Sequence, residues 1–316
     1  MSILLLESLH PDAEARLAEV DELVRAADPN APQHDVPGDF SKVRAILTRG
    51  RGRITRHLLE QCPNLQVIAR AGVGLDNLDT KAAAQLGIPV VFAPGGNTLT
   101  VAEHTLALIL DLVRGITRQA NAVAAGRWED RARYQGNEIR GLCLGILGFG
   151  NIGQRVAQLA AAFGMQVLVA THAGRSVPAP YRSAPLAEVL RSADVVTLHL
   201  PLTPATRHLL GAEQLAAMKP GAFLVNTARG ALIDGLALRT ALADGHLGGF
   251  AADVLEVEPP DEGDALLGSP RALLTPHTAS LTALTYRAMC VDTATNVVAI
   301  LRGEAPAPHC LFGSTR

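Results

Sequence analysis

With 316 residues, 48% of them hydrophobic and 18% charged, the chain carries enough apolar matter for about two domains and is not a disordered chain. A net charge of −2 leaves no footprint for nucleic acid or for an acidic membrane surface. Four scattered cysteines (Cys62, Cys143, Cys290, Cys310), with no CxxC pair, exclude a disulfide framework; they read as reduced packing thiols, and no metal site is expected. No uncharged run reaches the ~20 residues that span a bilayer. Residues 1–7 are apolar but lack a basic leader, so they read as a first strand rather than a signal peptide, in a protein expected to be cytoplasmic.

Residues 3–6 form a short apolar strand, and residues 11–20 begin like a helix, with Pro11 at the start and Asp12 and Glu14 in the first turn. A Pro/Asn/Gly-rich connector covers 28–38. Strands at 43–47 and 67–69 enclose a helix at 55–61, and a helix at 80–86 leads to another extended run at 87–91. This alternation predicts a small parallel α/β unit. Residues 97–125 read as one long, mostly apolar helix bridging into a second domain, with Glu103 and His104 near its start. Its apolar faces need cover from the chain itself or from a partner subunit, and a homodimer is expected.

From residue 142 the alternation restarts. Strands are predicted at 142–147, 166–170, 195–199, 222–226, 249–253 and 272–275, with helices between them at 154–162, 186–192 and 236–243. A last helix, 281–301, returns towards the first domain. The first of these strands runs into Gly148-Phe149-Gly150-Asn151-Ile152-Gly153, which opens a helix. In a dinucleotide-binding fold the first glycine of such a turn permits the bend and the second lets backbone approach the pyrophosphate. The third lets helix and strand pack closely, while free N–H groups at the helix start hold the phosphates. Gly148, Gly150, Asn151, Ile152 and Gly153 are therefore candidate cofactor contacts in a doubly wound nucleotide-binding domain.

Ligands of such sheets sit beyond the carboxyl ends of the strands. Three polar groups fall there: Arg229, Glu258 and His277. An arginine fork suits a carboxylate or carbonyl oxygen. A histidine exchanges a proton near neutral pH, and a carboxylate bonded to it orients the ring and favours its charged form. Together they suit oxidation of an alcohol beside a carboxylate, with hydride passing to a nicotinamide.

Several segments, in order along nearly the whole chain, resemble the D-isomer-specific 2-hydroxyacid dehydrogenases. They are Arg70-Ala71-Gly72-Val73-Gly74-Leu75-Asp76-Asn77-Leu78-Asp79, Asn97-Thr98-Leu99-Thr100-Val101-Ala102-Glu103, the glycine turn, Met218-Lys219-Pro220-Gly221 and Asn226-Thr227-Ala228-Arg229-Gly230. Asp253-Val254-Leu255-Glu256-Val257-Glu258-Pro259 and Thr275-Pro276-His277 complete the set. The resemblance implies an α/β protein of two doubly wound parallel-sheet domains. A Rossmann nucleotide-binding domain would cover 98–284, and a smaller flavodoxin-like substrate domain would be discontinuous, 1–97 with 285–316. It implies catalytic roles for Arg229, Glu258 and His277, and backbone amides over 71–74 holding the substrate carboxylate, with Val73, Gly74 and Asn97 as substrate contacts. It adds His199, Pro201, Thr206, Thr227, Ala228 and Asp253 as cofactor contacts, and a homodimer built on the long helix.

Within the superfamily, Glu258 argues against formate dehydrogenases, which carry glutamine at that place. A nucleotide-sensing corepressor shares the fold, but the extended tails expected of it are missing. Arg49 and Arg70 resemble in position the phosphate-contacting arginines of 3-phosphoglycerate dehydrogenases, and residues 4–13 resemble that branch. A doubly anionic substrate such as 3-phosphoglycerate is therefore expected, with glyoxylate or hydroxypyruvate reduction as the alternative. No serine-binding regulatory domain follows the last helix, so allosteric serine inhibition is not expected. Arg53 and Arg56 read as a solvated basic turn. Thr171 stands where an NAD site usually has an acid, and Arg175 could pair with a 2′-phosphate. The cofactor is thus NAD(H) or NADP(H), with a lean to NADP(H).

Overall fold

Parallel strands joined by helices build both units into which the chain divides, Met1–Asn97 with Leu281–Arg316 and Thr98–Ser280. The computed structural model describes residues 1–26, 39–172 and 174–313; the connector expected at 28–38 lies outside the described residues. Among the described residues no helix is long and apolar enough to cross a membrane.

The first unit is a sheet of β1 (Ser2–Leu5), β2 (Glu22–Arg25), β3 (Val43–Thr48), β4 (Val67–Arg70) and β5 (Val90–Val91). All neighbours are parallel and the order is β2-β1-β3-β4-β5, the flavodoxin-like winding. Alternate residues serve opposite faces. Ile3 and Leu5 pack with α1 (Pro11–Ala18) and the closing helix Ala283–Leu301, while Leu4 and Leu6 pack with α2 (Arg56–Gln61) and α3 (Thr80–Gln85). Burial on both faces explains the apolar runs over residues 3–6 in and after β1 and over 45–47 in β3. The edge strand β2 is largely exposed and carries no such run, so its sequence does not announce it.

The second unit opens with α4 (Thr98–Arg114) and α5 (Ile116–Ala124) in place of the single helix expected over 97–125. Gly115 breaks it by adopting φ +61°, and the Asp111 carboxylate caps the new helix by accepting from the Thr117 N–H at 2.9 Å. The apolar face of α4 is covered by its own unit, through Leu144, Ile146, Val156, Val225 and Ala251. Exposed apolar side chains lie at Leu99 in the first turn of α4 and, on and after α5, at Ile116, Val123 and Trp128.

β6 (Cys143–Leu147), α6 (Asn151–Ala162), β7 (Gln166–Ala170), β8 (Arg182–Ser183), α7 (Leu186–Ser192) and β9 (Val195–Leu198) follow. After them come α8 (Ala212–Ala216), β10 (Phe223–Asn226), α9 (Gly235–Ala243), β11 (Gly249–Ala252) and β12 (Ala272–Leu274). The all-parallel order β12-β11-β10-β9-β6-β7-β8 is a Rossmann winding that reverses between β6 and β9. One strand more than the six expected appears, because β8 is only two residues long and leaves no periodic trace. The cysteines are unpaired; burial pushes the Cys62 thiol up to about 11, and burial together with the Asp292 carboxylate, to which it donates at 3.6 Å, does the same for Cys310.

Candidate active site

β6 ends where Gly148 turns at φ +96°, a conformation L side chains rarely adopt. A Cβ there would stand 2.5 Å from the carbonyl oxygen of His199, just past β9, so the two strand ends meet at the winding reversal through backbone alone. A Cβ on Gly153 would stand 2.2 Å from the Gly148 carbonyl oxygen, so α6 reaches the strand end only because residue 153 has none. Gly150 differs. A Cβ on it would meet nothing within 4 Å, and no side chain caps the start of α6. Uncapped N–H groups, Asn151 and Ile152 among them, lie beside a residue without a side chain at the positive end of a helix dipole. That combination fits a dinucleotide pyrophosphate.

The three polar groups follow adjacent strands. After β10, the buried Asn226 accepts from the Ala228 N–H at 3.0 Å and donates to the Arg229 carbonyl at 2.8 Å, closing the turn that carries Arg229. Gly230 follows because a Cβ on it would come 2.0 Å from the Leu255 carbonyl carbon. That approach presses the Arg229 turn against the segment after β11, which carries Glu258. One oxygen of Glu258 accepts from the Leu255 N–H at 2.8 Å and the other from His277 Nδ1 at 2.7 Å. Burial pushes the Glu258 carboxyl up, but the hydrogen bonds from His277 and Leu255 and the charges of His277 and Arg229 outweigh it and hold the group below its ordinary range. An ionised carboxylate only accepts, so Nδ1 carries the proton and Nε2 is left to exchange one. The His277 side chain is 49% exposed and therefore open to a ligand.

His277 itself has φ +56°, which for a residue with a side chain costs roughly 1–2 kcal/mol. Asp253, 2% exposed, holds it there. Its carboxylate accepts from the Thr275 hydroxyl at 2.6 Å and from the Thr278 and Ala279 N–H groups, each at 2.8 Å. Expected as a cofactor contact, Asp253 thus has both oxygens engaged in building the turn around His277. Thr227 departs in the same way, since its hydroxyl is buried 2.8 Å from that of Thr105. Ala228 uses its N–H on Asn226 and its carbonyl on Arg229 Nη1 at 2.7 Å. Thr206 donates to the Pro201 carbonyl at 2.7 Å, which folds the loop after β9 on itself. Burial pushes the His199 imidazole down to about 3, so the ring is neutral at the winding reversal. Thr171 is half-buried at the end of β7 and Arg175 stands exposed four residues on.

In the first unit the loop after β3 is built on a residue that sequence reasoning had not singled out. One oxygen of Glu7 accepts from the N–H groups of Arg49, Gly50, Arg51 and Gly52 at 2.7–3.1 Å and from the Thr48 hydroxyl at 2.8 Å. Burial opposes the charge, yet these donors hold the carboxyl down to about 2. The loop presents Arg49, whose guanidinium carbon lies 5.3 Å from the centre of the Tyr286 ring. Arg70, expected to contact the substrate, is turned inward. Its Nε donates to the Arg49 carbonyl at 2.9 Å and its Nη1 to the Gly74 carbonyl, and only 13% of the side chain is exposed. Of the 71–74 amides, Ala71 and Gly72 donate to Thr48 and Arg70, whereas among the described residues Val73 and Gly74 have no partner for theirs. The buried Asn97 Oδ1 is likewise unpartnered. Arg56, expected in a solvated basic turn, is instead the first residue of α2, where it pairs with Glu60 one turn on and with Gln85.

Glu7 gives a pH test. Its folded pKa lies below the unfolded value of 4.5, so its stabilisation is present above pH 4.5 and is lost as pH falls towards about 2. Glu7→Gln should cost about 1–2 kcal/mol at neutral pH, a range that allows for partial exposure. Urea titrations should show the gap to wild type closing between about pH 4.5 and 2; a gap independent of pH would discount the ionised carboxylate.

A family profile described as "D-isomer specific 2-hydroxyacid dehydrogenase, NAD binding domain" matches residues 106–279. The chain is 38% identical over 309 residues to a D-3-phosphoglycerate dehydrogenase of Methanocaldococcus jannaschii, covering 96% of this chain and 58% of that protein, so it spans little more than half of that relative's length. It is 43% identical over 244 residues to an (S)-sulfolactate dehydrogenase of Chromohalobacter salexigens, covering 76% of this chain and 79% of that one. A solved protein of Thermus thermophilus superposes with a TM-score of 0.90 at 38% identity, over 97% of this chain and 98% of the other. The fold agrees with these matches, and the chain belongs to the D-isomer-specific 2-hydroxyacid dehydrogenase family.

Proposed function

We propose that this chain is a nicotinamide-dependent dehydrogenase that interconverts a D-2-hydroxy acid and its 2-keto acid, on substrates carrying a second anionic group. The observation that carries the reading is the His277–Glu258 pair, charge-coupled to Arg229, at the carboxyl ends of adjacent strands of a dinucleotide-type sheet. A bound nicotinamide supplies or accepts the hydride at substrate C2. In the reducing direction His277 Nε2 gives its proton to the carbonyl oxygen, and Glu258 keeps the ring oriented through Nδ1. Arg229 binds the carboxylate or carbonyl oxygen. In the first unit, the Val73 and Gly74 N–H groups, without partners among the described residues, are suited to an anionic oxygen.

Arg49 is the arginine assigned to the second anion. With Arg70 turned to main-chain carbonyls, the pair of phosphate contacts expected for 3-phosphoglycerate is reduced to one. A sulfonate-bearing acid, the type of substrate named for the C. salexigens relative, fits the same single arginine. Initial rates with 3-phosphoglycerate, sulfolactate, hydroxypyruvate and glyoxylate, each with both cofactors, test the reading. Arg49→Ala should raise KM for a doubly anionic substrate about tenfold or more and leave that for glyoxylate unchanged; equal effects on both would remove Arg49 from substrate selection. Thr171 and the exposed Arg175 favour NADP(H), and a strong NAD preference in the same assay would reverse that assignment. The exposed Ile116, Val123 and Trp128 support a homodimer that covers α5, in a cytoplasmic enzyme.

A further inference from the structure

His104 lies in the second turn of α4, remote in sequence from every strand end, yet it reaches the His277 turn from behind. Its Nε2 is 3.0 Å from Thr275 Oγ1 and 3.7 Å from Asp253 Oδ1. The Thr275 hydroxyl has a single proton and directs it to Asp253 at 2.6 Å. The Thr275 oxygen must therefore accept from His104, which puts the ring proton on Nε2. Asp253 in turn accepts the N–H groups of Thr278 and Ala279. His277 is bracketed between Thr275 and Thr278, with its own N–H on the Thr275 carbonyl at 3.0 Å. One hydrogen-bonded string, His104 to Thr275 to Asp253 to the backbone of 278 and 279, thus grips both sides of the one residue in the turn with φ +56°.

Resting on the dehydrogenase reading, we infer that His104 is a positioning residue that holds the His277 ring in register with Glu258 for proton transfer. A histidine that merely filled space would need its volume only. This one needs a donor at a single atom, because without it the Thr275 hydroxyl is free to turn away from Asp253. The loosened turn then lets His277 relax from its left-handed backbone, and misplacement on the scale of an ångström costs up to about 100-fold in rate.

The test pairs a leucine with a glutamine. His104→Leu should lower kcat about 10- to 100-fold while KM for the keto acid and Kd for the dinucleotide stay within about twofold; His104→Gln, whose amide donor reaches the place of Nε2, should recover most of the rate. Imidazole 15N spectra of the free wild-type protein should show His104 protonated on Nε2 and the His277 signals shifted by His104→Leu. A neutral His104 ring protonated on Nδ1, or unshifted His277 signals, overturns the inference whether or not the protein turns over a hydroxy acid. Turnover by the wild type together with a full rate for His104→Leu overturns it and leaves the dehydrogenase reading intact. Absence of turnover by the wild type with every acid and both cofactors defeats that reading instead, and the spectra still decide the role of His104. If His104→Leu does not fold, His104→Gln against the shorter His104→Asn replaces it, and equal rates for these two count against the inference.

Discussion

His277→Asn should lower turnover by about 10²–10⁴-fold in both directions while the dinucleotide still binds. Asparagine is among the residues that tolerate a left-handed backbone, so the turn at φ +56° keeps its shape and its Asp253 contacts. The amide keeps a donor for Glu258 but has no proton to exchange at the place of Nε2. Melting temperature and dinucleotide Kd near wild type would show that the loss lies in the chemistry. A near-normal rate would remove His277 from proton transfer.

Two glycines only three residues apart should answer differently to the same added methyl. Gly153→Ala places a Cβ 2.2 Å from the Gly148 carbonyl oxygen, backbone that cannot swing aside, so α6 must shift away from β6. The expected cost is about 1–3 kcal/mol, with Tm lowered by several degrees and dinucleotide affinity lost along with the displaced helix start. At Gly150 the methyl meets nothing within 4 Å, and the free protein should melt as the wild type does. Only the dinucleotide should sense it, with Kd raised about tenfold or more, because the methyl occupies the approach to the uncapped amides. Calorimetry and dinucleotide titration of the two variants separate these effects. Unimpaired binding by Gly150→Ala would show that the phosphates do not lie there.

Elements with a local signature were legible in the amino-acid sequence. The buried strands of both sheets, the glycine turn and the placement of Arg229, Glu258 and His277 after β10, β11 and β12 all follow from short-range pattern. What escaped depends on partners far along the chain. Nothing near Arg70 shows that its guanidinium turns to the carbonyls of Arg49 and Gly74, and nothing near Asp253 shows that its carboxylate builds the turn around residue 277. Thr227 matches the family motif, but Thr105 on α4 draws its hydroxyl into the core. Glu7 ends an apolar run and reads as an ordinary surface acid until β1 and β3 pair and bring the loop over residues 48–52 to it. Gly115 was visible as a single glycine in an apolar stretch; only its positive φ reveals a break between two helices.

The loop over residues 48–52 also determines how an incoming anion can be met. Its converging main-chain N–H groups have the form of a receptor for phosphate or sulfate, but the chain already fills that receptor with its own Glu7 carboxylate. An anion that approaches this loop therefore finds the backbone cradle occupied and meets what projects beyond it, the Arg49 side chain. Buffer phosphate is likewise denied the cradle. Anion binding at this loop becomes a matter of the length, charge and reach of one side chain, which can be altered without disturbing the loop that carries it.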